Sequence, residues 1–138
     1  MSNFQTKPFY HQTETLFTSV ENHDFDTLAN LCDDDFGIVD IDPEGKNVII
    51  STRQEWEEWF HTLFKNLDTM NAKTWTDILD YQAIQEDRLG YSVVNFRQNL
   101  QVNGHTSKFY CVVTIIWKRV GTEWKESRWH ASVIRVEP

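Results

Sequence analysis

Two long β-strands joined by a tight turn close the chain, and the rest of the sequence has to cover them. They run Phe109–Lys118 and Trp124–Ile134, with Val120-Gly121-Thr122 between them. Side chains alternate across a strand, so each strand sorts into two faces. In the first, Phe109, Cys111, Val113, Ile115 and Trp117 share one face; Tyr110, Val112, Thr114 and Ile116 share the other. In the second, Trp129, Ala131 and Val133 face one way, and Arg128, His130 and Ser132 face the other with Trp124 and Ile134. An isolated hairpin is marginal in water, so at least one of these faces needs a second layer.

The upstream sequence supplies it. Thr74–Gln85 and Leu89–Val102 read as two more strands, with the turn Glu86-Asp87-Arg88 between them. Asn103-Gly104 is a type I′ hairpin signal leading into a strand over His105–Arg119. Before the strands, residues 6–22 read as a helix. Thr6 is its cap, Pro8 sits in its first turn, and Phe9, Thr13, Leu16, Phe17 and Val20 follow helical spacing. Asp24 caps a short second helix with Phe25, Leu28, Ala29 and Cys32 inward, and Asp33-Asp34-Asp35 is expected to end it as a solvated loop. Gly37–Asp42 reads as a short strand, Asp42-Pro43-Glu44-Gly45 as a type I turn, and Asn47–Ile50 as the returning strand. Thr52-x-x-Glu55 is a capping box. It opens a helix whose stripe is Trp56, Trp59, Phe60, Leu63, Phe64 and Leu67. Helices gathered ahead of a run of strands imply an α+β fold, with N-terminal helices packed on the concave face of a curved antiparallel sheet. At 138 residues, one domain spanning 1–138 is expected.

The outer face of that sheet is apolar too. A sheet covered on one side should be polar on the other, so a homodimer formed sheet against sheet is expected. Net charge is −8, which disfavours nucleic acid and anionic membranes as partners. No run approaches the ~18 apolar residues of a membrane span, and the N-terminus has no signal-peptide core. A cytoplasmic protein with free Cys32 and Cys111 thiols is expected. The five His have no ligand spacing and there is no Gly-rich phosphate loop, so neither metal nor cofactor is expected.

Two residues carry candidate chemistry. Asp40 lies between Val39 and Ile41. Apolar flanks favour a raised pKa, as a general base near neutral pH needs, although the same residue pointing to solvent is the plainer reading. Arg97 sits mid-strand, where it needs an acid partner such as Asp40 or an anionic ligand group, a surface arginine on the outer face being the plainer reading. Arg128, His130 and Ser132 suit a hydrogen-bonded interface cluster better than a catalytic set, because no local acid orients the His.

Three stretches together resemble the nuclear-transport-factor-2-like superfamily: Asn22-His23-Asp24-Phe25-Asp26 running to Leu31-Cys32-Asp33, the Trp/Phe helix after the short hairpin, and Trp117-Lys118-Arg119 through Trp129-His130-Ala131-Ser132. This is the cystatin-like α+β cone of SnoaL-like polyketide cyclases, ketosteroid isomerase and the association (hub) domain of calcium/calmodulin-dependent kinase. The resemblance implies a pocket between the helices and the concave sheet. It matches Arg97 to one carboxylate-binding arginine of the hub type. Ile115 and Ala131 stand at the other two arginine positions, which makes the pocket more apolar. It also puts Asp40 on the strand that carries the base of isomerase-type members. The expectation is a homodimeric SnoaL-like domain with a largely apolar cavity for a small organic molecule. Arg97 and Asp40 would be its polar groups, Trp59, Trp75 and Trp129 its walls, and Ile115 and Ala131 apolar lining. The alternatives are an isomerase, cyclase or hydratase using Asp40, and an assembly module with a filled cavity.

Overall fold

The computed structural model describes residues 4–41 and 46–138; the expected turn at Asp42-Pro43-Glu44-Gly45 lies outside the described residues. Among the described residues, three helices, α1 (Tyr10–Glu21), α2 (Phe25–Leu31) and α3 (Arg53–Thr69), accompany six strands: β1 (Cys32–Ile41), β2 (Asn47–Ile50), β3 (Lys73–Gln85), β4 (Leu89–Val102), β5 (His105–Val120) and β6 (Glu123–Glu137). The strands form one sheet in the order β2-β1-β6-β5-β4-β3. Its pairs are antiparallel except β1 with β6, which run parallel. The helices cover the inward face, so the α+β architecture expected from the residues is the one found. Among the described residues, no helix is long and apolar enough to cross a membrane.

Local rules account for several elements. The Thr52 hydroxyl accepts from the Glu55 N–H at 3.1 Å and opens α3 as a capping box does. The Asp24 carboxylate caps α2 by accepting from the Thr27 N–H at 3.2 Å. Asn103 and Gly104 take φ of 54° and 80°, the left-handed pair that a type I′ turn requires.

Three expectations need correction, each for a tertiary reason. First, α1 begins at Tyr10 rather than at residue 6. Phe9 precedes it in the left-handed region, at φ 62°. Its ring stacks on Trp117 with centroids 5.5 Å apart and meets Trp124 edge-on at 5.1 Å. The Tyr81 hydroxyl donates to the Pro8 carbonyl at 2.6 Å, so the chain before Tyr10 is held by contacts with the sheet and by turn bonds such as Lys7 N–H to the Phe4 carbonyl, not by a continuing helix. Second, Asp33-Asp34-Asp35 belongs to β1 and is not a loop. Basic neighbours steady it: Lys118 Nζ lies 3.2 Å from Asp33, and the Arg128 guanidinium donates to the Asp35 carbonyl at 2.6 Å.

Third, β6 does not alternate uniformly. Ile116 pairs with Arg128, but Trp117 pairs with Glu126, leaving Ser127 as an extra residue. A β-bulge of this kind reverses the facing of everything before it. Trp124, expected on the outer face, therefore points inward against Phe9. A second irregularity skips Ile134, which ends 62% exposed, and brings Arg135 opposite Tyr110 with the guanidinium 3.7 Å from the ring centre.

The core lies between the helices and the concave sheet. Trp56, Tyr81, Val94, Val113, Ile115 and Trp117 are fully buried in it, and the Trp117 indole donates to the Ser92 hydroxyl at 3.0 Å. Cys32 and Cys111 are buried free thiols.

Candidate functional site

The helices and the sheet do not meet everywhere. A cavity of about 230 Å³ remains between α1, α3 and the concave face. Its walls are aromatic and aliphatic, with Phe17, Trp56, Trp59, Phe60, Phe96 and Trp129 among the largest. Asp40, Thr74, Gln98 and Glu126 supply the carboxyl, hydroxyl and amide groups, and no Lys, Arg or His lines it among the described residues.

Each polar group is placed by its strand. Asp40 sits on β1 and accepts a hydrogen bond from the Trp129 indole at 2.9 Å. Since Ile38 pairs with Trp129 on β6, Asp40 is level with Ala131. The Gln98 side chain is committed within the sheet: its oxygen accepts from the Thr76 hydroxyl at 2.8 Å and its amide donates to the Trp75 carbonyl at 3.3 Å. The Thr74 hydroxyl oxygen is buried with no hydrogen-bond partner among the described residues.

Glu126 was not legible as a site residue. Counting back from Trp129 by twos assigns Ser127 to the inside and Glu126 to solvent; the Ser127 bulge inverts that. Glu126 is 2% exposed. The Cys32 thiol donates to its Oε1 at 3.3 Å. Burial pushes its carboxyl up to about 8, the Cys32 hydrogen bond offsetting only part of the loss of water. Burial, then the neighbouring Glu126, also raises the Cys32 thiol well above its ordinary value, so Cys32 stays a neutral donor. The only trace in the sequence is a charged residue inside an otherwise strand-like stretch.

The structure brings some of the expected residues together and separates others. Asp40, Trp59 and Trp129 line the cavity. Ile115 and Ala131 are on the inward face, 0% and 7% exposed, but are packed in the core rather than at the cavity wall. Trp75 borders a shallow groove with Glu21, His23 and Lys73 instead. Arg97 is on the outer face. Its neighbours Phe96 and Gln98 take the inward positions, and its fork grips Asp77 Oδ2 at 3.1 and 2.8 Å, where Asn99 also donates at 3.0 Å. His130 and Ser132 are exposed on that same face. Among the described residues, no group of three His, Cys, Asp or Glu could hold a metal ion.

The same arrangement of helices and sheet recurs in solved structures of distant sequence. The β subunit of the benzoate 1,2-dioxygenase from Burkholderia mallei superposes with a TM-score of 0.79 at 9% identity, covering 96% of this chain and 93% of that one. A type 2 hexachlorocyclohexane dehydrochlorinase gives 0.71 at 15%, covering 91% and 82%. The CaMKII hub of S. rosetta gives 0.71 at 15%, covering 89% and 92%. At such identities these likenesses speak for the fold alone: an enzyme, an enzyme subunit and an assembly domain share it. The family model for the SnoaL-like domain matches residues 12–136, and the chain belongs to the SnoaL-like domain family.

Proposed function

We propose that residues 1–138 form one cytoplasmic, homodimeric SnoaL-like domain whose cavity binds a small, largely apolar organic molecule. One observation carries this reading: the space of about 230 Å³ beneath the helices is walled by aromatic rings and touched by a few polar groups. Ligand sites are built that way. The absence of lining Lys, Arg and His among the described residues, together with Asp40, favours a ligand without negative charge.

A thermal-shift screen of small carboxylates, steroids, polyketide-like aromatics and flavins tests it. A ligand at about a hundred times its dissociation constant adds roughly 2.7 kcal/mol, which is several degrees for a chain of this size. Neutral ring compounds are expected to shift the transition and small carboxylates to leave it unchanged. The shift should persist in Arg97→Ala, whose guanidinium is occupied by Asp77. A shift confined to carboxylates and abolished by Arg97→Ala would overturn the reading.

The homodimer is supported by the outer face, where Val93, Tyr110, Val112 and Ile116 are only half-buried in one copy. Sedimentation velocity reads this part directly; a single monomeric species at micromolar concentration would overturn it.

A second reading is favoured by Asp40 itself. It lines the cavity with its carboxylate oriented by the Trp129 indole, as a proton-transfer base of an isomerase, cyclase or hydratase requires. Asp40→Asn is then expected to lower turnover of the cognate substrate by roughly 10²–10⁴-fold with the fold intact, and the wild-type pH–rate profile should carry an acid limb. Full activity in Asp40→Asn would remove this reading. The assembly-module alternative required a filled core, which the space beneath the helices does not favour.

A further inference from the structure

Glu126 is an acid placed where an acid is expensive. It is 2% exposed, it lines the cavity, and the Cys32 thiol is its hydrogen-bond partner among the described residues. We infer that Glu126 is a hydrogen-bond donor to the bound molecule, and that the ligand is neutral, an apolar ring body carrying a carbonyl-type oxygen. This rests on the cavity-binding reading above and gives that ligand a chemical class.

A carboxyl removed from water with no ion-pair partner among the described residues avoids the cost of charge by keeping its proton. The protonated group offers one O–H donor and its remaining acceptor capacity. Cys32 already uses the acceptor side at Oε1, so what Glu126 can still present to the cavity is its O–H. A ketone, aldehyde, quinone or lactone oxygen satisfies that donor; a plain hydrocarbon leaves it unmet. An anion would meet Asp40 and Glu126 with no lining cation to offset them. An organic ammonium seated against Glu126 would bind better once Glu126 had lost its proton, so its affinity there would rise with pH, whereas that of a carbonyl compound falls. Asp40 is level with Ala131, and Glu126 lies four ladder positions from it because Ser127 is bulged out, on the order of 13 Å along the strand, so the donor and the candidate base touch different parts of the space.

Three probes of one shape separate the possibilities: indane, 1-indanone and 2-aminoindane. Their binding to the full chain is measured by calorimetry at pH 6.5 and pH 9 for wild type, Glu126→Gln and Glu126→Leu, with circular dichroism as the check on folding. At pH 6.5 wild type is expected to prefer 1-indanone over indane by about tenfold, the worth of one added hydrogen bond. At pH 9 that preference should shrink to about twofold. Glu126→Gln, which donates at every pH, should keep the preference at both values. Glu126→Leu should bind indane and 1-indanone alike. Equal wild-type affinity for indane and 1-indanone would overturn the inference while leaving the cavity reading in place. So would a preference for 2-aminoindane that grows toward pH 9. If none of the three binds wild type, the cavity reading fails and the inference falls with it. If Glu126→Leu does not fold, the wild-type and Glu126→Gln pH dependences still decide.

Discussion

The melting temperature of the wild-type chain is expected to fall from pH 5 to pH 8 relative to that of Glu126→Gln. In the folded state burial holds the Glu126 carboxyl up to about 8, against an ordinary value of 4.5. Between those limits the folded chain keeps a proton that the unfolded chain releases. Stability rises with pH only where the unfolded state binds more protons, so here the sign is negative. The contribution of Glu126 is fully present below about pH 4.5, declines through the window and is gone above about pH 8. At 1.36 kcal/mol per pKa unit the loss is on the order of 5 kcal/mol. This runs opposite to an ion-paired carboxylate, whose stabilisation is lost on acidification. Gln has the same shape, can accept from the Cys32 thiol and does not titrate. The two proteins should melt together near pH 5, and the variant should melt on the order of 10 °C higher at pH 8. Other groups also titrate in this range, so the readout is the difference between the two curves. Parallel curves would show that Glu126 reaches water or a cation, and both the buried-acid description and the donor role would be lost.

Gly90→Ala is expected to cost about 3 kcal/mol or more. The backbone conformation is not the reason; space is. A Cβ at position 90 would lie 2.5 Å from Phe9 Cζ and 2.6 Å from both Phe9 Cε2 and the Ile84 carbonyl oxygen. The ring cannot step aside easily, because it is wedged between Trp117 and Trp124. The carbonyl belongs to β3, the strand paired with β4 along its whole length. Either the start of α1 lifts off the sheet or the strands part. Chemical denaturation should show a lower midpoint with an unchanged slope. Phe9→Leu in the same chain should recover part of the loss, since it relieves the ring contact but not the carbonyl, and the two substitutions should be non-additive in that direction. A Gly90→Ala protein within about 0.5 kcal/mol of wild type would mean that Phe9 does not occupy this position.

Much of the fold was legible because it follows from neighbours in the chain. The Asn103-Gly104 turn, the Thr52 cap, the aromatic stripe of α3 and the strands that follow it are decided within a few residues of themselves. The outward position of Arg97 was legible as well. A two-residue turn pairs Val102 with His105 and therefore Arg97 with Tyr110, and alternation had already set Tyr110 on the outer face. A pocket role for Arg97 came from its mid-strand place, which asks for an acid or an anionic ligand group, and from the family resemblance; the acid is Asp77.

The rest was decided by partners distant in sequence. Phe9 leaves helical geometry because two indoles from β5 and β6 receive its ring. Asp33-Asp34-Asp35 is drawn into β1 because β6, almost a hundred residues later, pairs with Cys32 before it and Gly37 after it, and Arg128 holds the Asp35 carbonyl between them. Glu126 enters the cavity because β5 pairs it with Trp117 and skips Ser127. The sequence by itself determined which stretches become strands and helices, and the alternation within each unbroken run of strand. Only the tertiary structure decided where the alternation breaks, because a bulge arises from matching two strands against each other, and one strand alone carries no record of that register.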